Sequence, residues 1–362
     1  MGKEELFWIF SFFFVTVIVF TIMINTILLR FSTNLGIRDK ETTLIRWSST
    51  SKPSLGGISF FIVFFISLSA YSIFFDSSHV MRNASALGLI ITCLIGFLMG
   101  LADDAYNTKP LLKFSAQVLC GVIMIFTNNY IQITPFEWLN YTLTILWVAG
   151  LMNSINMLDN MDAITTTVSI FIILMMLCVL AINHNYNGLE FFVLLGVGAG
   201  LIGFLFHNWH PSKMFMGDTG SQFLGVFLAW FSIKLLWNAE DYYGHPIQFK
   251  QFSCVLIAFA IPLIDTGIVS INRLRRGQSP FVGGRDHTTH HLSYIGLSDS
   301  QVAMVFIGLS SISLLLIVAI LRFVENWETL YTLLSAGYFV ILFAAFFYLT
   351  QVSGKKDEKP KN

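Results

Sequence analysis

Charge is what this chain lacks. Only 12% of its 362 residues are Asp, Glu, Lys or Arg, whereas a soluble domain carries about 25%. An ordinary soluble globular fold is therefore excluded. Cysteine is scarce too. Cys93, Cys120, Cys178 and Cys254 each sit inside an apolar run, and none has metal-ligand spacing. That removes a cysteine zinc site and a thiol redox centre. No polar stretch is long enough for a separate soluble domain, and no internal repeat is present. The formal net charge of zero says little about partners, and no nucleic-acid partner is expected.

What the chain has is apolar length. It is 55% hydrophobic and 15% aromatic, with 36 Phe. Crossing about 30 Å of hydrocarbon takes roughly 20 residues as a helix. Apolar runs lie near 7–29, 55–75, 86–102, 112–128, 136–152, 164–183, 190–207, 219–237, 252–271, 300–321 and 328–351. They predict an all-α polytopic membrane protein with about 11 transmembrane helices. The run at 112–128 is the weakest, broken by Lys113, Ser115 and Gln117. The first run is too long for a signal-peptide core and reads as a retained helix. A single membrane domain is expected over 1–352, with a disordered tail over 353–362.

Basic residues set the orientation. Most of the 21 fall on one side: Arg30, Arg38, Lys40, Arg46, Lys52, Lys109, Lys113, Lys213, Arg273, Arg275, Arg276, Arg285 and the lysines of the tail. The other side has Lys3, Arg82, Lys250 and Arg322. The N-terminus is expected outside and the C-terminus in the cytoplasm.

Four acidic motifs then share the cytoplasmic side. Carboxylates beside a bilayer are costly unless they pair, bind metal or face water. Asp103-Asp104 ends the third run, with Lys109 and Lys113 following. Adjacent carboxylates repel, so a cation or water must offset them. Asn153, Asn156, Asp159 and Asp162 recur every three residues, a spacing that keeps one helix face. A polar helix cap would account for one of them, not four. Gly217-Asp218-Thr219-Gly220 opens the eighth run. A helix N-terminus favours anions, so phosphate is expected there beside a cation on Asp218, unless Asp218 is only a cap. Phe215 stands at the entrance to that run and can stack on a base. His287, His290 and His291 share a basic loop with Arg273, Arg275, Arg276 and Arg285. Histidine serves as acid, base or metal ligand, and arginine clamps phosphate.

Three patterns compete with that reading. Asp265-Thr266-Gly267 is a second Asp-Thr-Gly, which suggests an intramembrane aspartyl protease with Asp218 and Asp265 sharing a proton. That would leave Asp103, Asp104, Asp159 and Asp162 without a role. An ion-coupled transporter would place its carboxylates at mid-membrane, not at helix ends. Gly198-Ala-Gly200-Leu-Ile-Gly203 fits a dinucleotide fingerprint literally, but it follows no strand. Gly196 and Gly200 are better explained as helix contacts.

Taken together, residues 38–299 resemble the polyprenyl-phosphate N-acetylhexosamine-1-phosphate transferase superfamily. Lys52-Pro-Ser-Leu-Gly-Gly57 is similar to its Pro-x-x-Gly-Gly entry to the second helix. Asp103-Asp104 with Lys113 and Gln117 is similar to its paired-aspartate motif, and Asn153 to Asp162 to its Asn-x-x-Asn-x-x-Asp-Gly-x-Asp-Gly. Phe215-Met-Gly-Asp-Thr-Gly-Ser221 matches a further motif, and Pro262-Leu-Ile-Asp265, Arg275 to Phe281 and the histidine loop match the last segment. Two of the pattern's glycines are Asn160 and Ala163 here, and the histidine loop reads His-Thr-Thr-His-His.

The resemblance implies a bacterial inner-membrane enzyme with its site on the cytoplasmic face. It would join a UDP-N-acetylhexosamine, such as UDP-N-acetylglucosamine, to undecaprenyl phosphate and release UMP. Such reactions start cell-wall, lipopolysaccharide or O-antigen glycans. Mg²⁺ (or Mn²⁺) would sit on Asp218 and Asp103. Asp103, Asp104, Asp159, Asp162, His287 and His290 would be catalytic. Lys52, Lys113, Asn153, Asn156, Phe215, Ser221, Arg285 and His291 would bind substrate. A homodimer embedded in membrane lipid is expected. Within the superfamily, the lipid I-forming phospho-N-acetylmuramoyl-pentapeptide transferases are the alternative.

Overall fold

The computed structural model describes residues 2–32, 52–75, 83–239, 248–280 and 283–353. Arg38, Lys40, Arg46 and the tail beyond Ser353 lie outside them. All eleven apolar runs form helices. In chain order these are α1 (Lys3–Ser32), α2 (Gly56–Phe74), α3 (Ala84–Tyr106), α4 (Pro110–Phe126), α5 (Glu137–Leu158), α6 (Ile164–Ile182), α7 (Leu189–Asn208), α8 (Gly217–Ser232), α9 (Gln248–Ala258), α10 (Ala260–Arg275), a short α11 (Thr288–Tyr294), α12 (Asp299–Phe323) and α13 (Thr329–Ser353). A π-helical turn, Ile233–Trp237, continues α8.

Among the described residues, nine helices are long and apolar enough to cross a membrane, or ten if α9 and α10 count as one bent span. The expected eleven is thus reduced by α4, an apolar helix of 17 residues that falls short of the spanning length. The run near 252–271 is bent by 73° between Ala258 and Ala260. Pro262 explains the break. It has no N–H to give the carbonyl four residues back, and its ring crowds that turn.

Local signals set the ends. Asn83 caps α3 by accepting from the amides of Ser85 and Ala86, and Pro110 starts α4 at a position where its missing N–H costs nothing. Ser298 and Gln301 form a reciprocal capping box at α12.

Helix α8 is the centre. It is 94% buried along its span, against 17% for α1 and 11% for α13. It packs on α2, α3 and α5. Small residues make this possible: a Cβ on Gly57 would stand 2.2 Å from the Gly220 amide nitrogen, and one on Gly100 2.2 Å from the Asp218 carbonyl oxygen. Close backbone approach needs glycine there. The glycines that mimic a dinucleotide fingerprint lie inside α7, where Gly196 abuts Ser67 and Gly200 abuts Val63 of α2. The consequence is positional. The ends of α3, α4, α5, α8 and α10 that carry polar residues meet on one side of the bundle.

Gly100→Ala should cost at least about 1–3 kcal/mol through overpacking against the α8 backbone. Gly150→Ala, where nothing stands within 4 Å of the new Cβ, should be neutral or stabilising by about 0.5–1 kcal/mol. Thermal unfolding of both variants in detergent tests this. Equal melting temperatures would refute the tight α3–α8 contact.

Candidate active site

The polar helix ends enclose an open cavity of about 590 Å³. Asp103, Asp104, Lys113, Asn153, Asn156, Asp159, Phe215, Asp218, His287 and His290 all line it, as the sequence led us to expect. Lys52, Asp162, Ser221, Arg285 and His291 do not.

Lys113 is the hub. Its ammonium lies 2.6 Å from Asp103 Oδ2 and 3.0 Å from Asp218 Oδ2. It thereby ties α4 to α3 and α8. The Thr108 amide and hydroxyl donate to the other oxygen of Asp103 at 2.9 and 2.6 Å. Asn156 spends both N–H groups on α8, giving one to Asp218 Oδ1 (2.7 Å) and one to Ser221 Oγ (2.8 Å). Ser221 is fully buried and acts behind Asp218. Asn153 exchanges hydrogen bonds with Gln117, which also donates to Gln222. Asn156 thus orients Asp218, while Asn153 ties Gln117 to α5, and the N–H donors of both are committed within the protein rather than to a base or sugar.

Asp104 has a different place from its neighbour. It accepts from the Asp218 amide at 3.1 Å, the Thr219 amide at 2.9 Å and the Thr219 hydroxyl at 2.6 Å. A carboxylate from α3 therefore caps α8. This corrects the expectation that the α8 N-terminus takes phosphate: its first amides already hold an anion, which also suits the helix dipole.

Asp162 lies outside the cavity for a similar reason. Its oxygens accept from the Ser212 amide (3.0 Å) and hydroxyl (2.7 Å), and it lies 3.0 Å from His210 Nδ1. Burial pushes its carboxyl up, but these bonds and the Lys52 charge outweigh that and hold it low. Lys52 donates to Ser212 Oγ at 2.9 Å, and its ammonium lies 5.0 Å from the centre of the Phe215 ring. It acts from behind Phe215. Asp162, His210 and Asp299 form the one cluster of three ligand-type side chains found among the described residues. His210 Nδ1 lies 3.0 Å from Asp162 Oδ2 and 3.5 Å from Asp299 Oδ2, so the imidazole between the two carboxylates accounts for their closeness.

The last wall is α11. Asp265 is buried, lies 2.8 Å from His287 Nδ1 and accepts from the Thr288 amide and hydroxyl at 2.8 and 2.7 Å. With its oxygens so used, it is the orienting partner of His287, not a member of an aspartyl pair with Asp218. Arg273, on the cavity wall, grips Asp286 from two nitrogens at 3.0 and 2.7 Å. His291 Nδ1 meets Ser353 Oγ at 2.6 Å and pins α11 to α13. Arg285 is exposed, and its carbonyl accepts from the Tyr294 hydroxyl at 2.9 Å.

The two replaced glycines differ. Ala163 holds φ 66° and ψ −12°, in the left-handed region, at a cost of about 1–2 kcal/mol for a residue with a Cβ. Asn160 has no positive φ, so it needs no glycine. Residues missed as site members are Gln117, Arg273, Asp265, Asn160 and Thr289. Gln117 shows as a polar residue inside an apolar run, Asp265 as part of an Asp-Thr-Gly and Arg273 as part of a basic loop; the Asn160–Thr289 contact has no local signal.

Two titrations stand out. Burial, then the charges of Asp218, Asp104 and Asp162, push Asp159 up to about 8. Burial and the nearby His287 push His290 down to about 3. His290 Nδ1 accepts from the His287 amide at 3.3 Å, so neutral His290 carries its hydrogen on Nε2.

Fold and site together define an all-helical integral membrane protein with a carboxylate-lined site at one end of its helices. The family model for glycosyl transferase family 4 matches residues 86–236. A probable undecaprenyl-phosphate N-acetylglucosaminyl 1-phosphate transferase of Bacillus subtilis is 26% identical over 357 residues, covering 96% of this chain and 93% of the relative. A decaprenyl-phosphate N-acetylglucosaminephosphotransferase of Mycobacterium leprae is 28% identical, covering 71% and 70%. A phospho-N-acetylmuramoyl-pentapeptide-transferase of Staphylococcus carnosus is 28% identical, covering 81% and 92%. Over residues 86–236 the chain matches the model of glycosyl transferase family 4, and over most of its length it is similar to polyprenyl-phosphate N-acetylglucosamine-1-phosphate transferases.

Asp159 gives a prediction with a definite sign. A carboxyl raised from 3.8 to about 8 favours the protonated form in the folded state, so stability falls as pH rises between those values. Asp159→Asn should therefore be more stable than the parent. The gain should grow from pH 4 and level off above pH 8 when melting is followed in detergent with a chelator. A gain that does not change between pH 5 and pH 9 would contradict it.

Proposed function

We propose that this protein transfers a sugar 1-phosphate from a UDP-N-acetylhexosamine to undecaprenyl phosphate, releasing UMP. The observation that carries the reading is Lys113 held between Asp103 and Asp218 on a polar cavity at the ends of membrane helices. Two phosphorylated substrates repel each other, so the site must bring cations to them. The N-acetylglucosamine transferases of Bacillus subtilis and Mycobacterium leprae support the simple-sugar branch. The basic-residue bias supports a cytoplasmic face in a bacterial inner membrane, with the lipid tail in the bilayer. A dimer follows from the resemblance.

The donor set fits Mg²⁺ or Mn²⁺. Asp103 and Asp218 already share one cationic group, Lys113. Oxygen-only donors select hard cations. Asp103 and Asp218 would hold the ion, which when bound offsets phosphate charge and stabilises the departing oxygen. The chain's own groups do the rest. Lys113 holds phosphate oxygens. An oxygen of the acceptor phosphate attacks the phosphorus that bears the sugar. The new P–O bond forms as the bond to the UMP phosphate breaks, and UMP leaves with the electron pair. Asp159, whose carboxyl is raised to about 8, takes up the acceptor's proton in its ionised form, so transfer should rise with pH toward that value. His290 Nε2–H is a donor for the sugar or diphosphate. Phe114 and Phe215 on the cavity wall exclude water, which would otherwise compete as acceptor.

Asp218→Asn should slow transfer about a hundredfold, the scale for removing a charge-stabilising group, with no recovery at high Mg²⁺. Near-normal rates at low Mg²⁺ would remove Asp218 from the cation site. UDP-N-acetylglucosamine, its epimers and the muramoyl-pentapeptide nucleotide should be compared side by side with undecaprenyl phosphate. Turnover is expected with the simple sugars. Efficient use of the pentapeptide nucleotide alone would move the chain to the lipid I branch, to which the Staphylococcus carnosus relative belongs.

A further inference from the structure

Two departures from the superfamily pattern, 129 positions apart, touch each other. Asn160 stands where the pattern has glycine, and Thr289 lies inside His287-Thr-Thr-His290-His291. The Thr289 hydroxyl donates to Asn160 Oδ1 at 2.5 Å, and Asn160 Nδ2 donates to the Met157 carbonyl at 2.9 Å. Asn160 thus bridges the end of α5 to the first turn of α11.

The neighbours make this bridge consequential. Asp159, beside Asn160, lines the cavity, as do His287 and His290 on either side of the two threonines. Asp265 holds His287 and Thr288 from the α10 side. Among the described residues, no α10 side chain is hydrogen-bonded to Thr289, whose hydroxyl goes to Asn160 instead. Ties from α10 and from the turn after α5 therefore fix the start of a seven-residue helix, which is too short to hold its shape alone, while His291 pins it to α13. A glycine at 160 would leave the second tie unmade.

We propose that Asn160 is a positioning residue: through Thr289 it sets the first turn of α11, and hence His287 and His290, against Asp159 across the substrate cavity. It touches the reacting groups only through these neighbours. The inference rests on the transferase reading, since it assigns the bridge a role in that reaction.

The test combines turnover with an activity-independent readout. UMP release, melting temperature and backbone amide exchange over 288–294 would be measured for the parent, Asn160→Ala, Thr289→Val, the double variant and Thr289→Ser. Each of the first two should lower kcat about tenfold, as for loss of one hydrogen bond acting in the transition state. KM for the UDP-sugar should change less than twofold. The double variant should be no worse than either single one, because both remove the same bond. Thr289→Ser keeps the hydroxyl and should stay within twofold of the parent. Amide exchange in the first turn of α11 should rise in Asn160→Ala.

Unchanged kcat in Asn160→Ala overturns the proposal. So do losses that multiply to about a hundredfold in the double variant, or a Thr289→Ser variant as slow as Thr289→Val. A fall in kcat matched by a lower melting temperature, with exchange in α11 unaltered, marks a general structural role and overturns it as well. If the parent releases no UMP from any UDP-N-acetylhexosamine, the transferase reading fails instead. The exchange comparison then still decides whether the bridge orders α11.

Discussion

One ammonium group makes the acidic site possible. Asp103, Asp104, Asp159 and Asp218 gather within a helical bundle, where unpaired charge is poorly solvated. Lys113 lies between Asp103 and Asp218 and offsets part of that charge. It comes from the first turn of α4, a helix shorter than its neighbours. Its shortness matters less as a membrane span than as the element that delivers this lysine. Burial, then the charges of Asp218, Asp104 and Asp162, hold the proton of Asp159 to about 8.

The charges can be so placed because the helices pack so closely. Gly57 and Gly100 bring the backbones of α2 and α3 against α8. At that separation an α3 side chain reaches the first amides of α8, and Asp104 becomes the cap of a helix other than its own. Asn156 reaches across from α5 to fix Asp218. Asp103, Asp104 and Asp218 are therefore each held by an element they do not belong to. Rigid elements supplying the groups and neighbouring elements fixing their rotamers are what pre-organised charge requires.

Much of this was legible in the chain. Eleven apolar runs became helices because the period and length of such runs depend on local composition alone. The acidic motifs were recognisable as site material because charge at a helix end in a membrane demands a reason. The aspartyl-protease pattern, by contrast, misled: Asp265 and Asp218 look alike in sequence, yet Asp265 spends its oxygens on His287 and Thr288. Asp162 misled in the same way, having the spacing of its neighbours but turning to Ser212 and His210. Asn160, which replaces a glycine of the pattern, has no positive φ and has a distant partner.

The sequence by itself determined the class of the protein, the number and rough limits of its helical runs, and which residue types could form the site. Those follow from hydrophobic length, helical period and the cost of charge near lipid, which act within a few turns of chain. Only the tertiary structure decided which carboxylates face the cavity, which cap a helix and which orient a histidine. It also decided that a 73° bend divides one run and that Thr289 meets Asn160. These depend on separations of a few ångströms between residues far apart in the chain. Such distances are set by how helices pack, which no local pattern encodes.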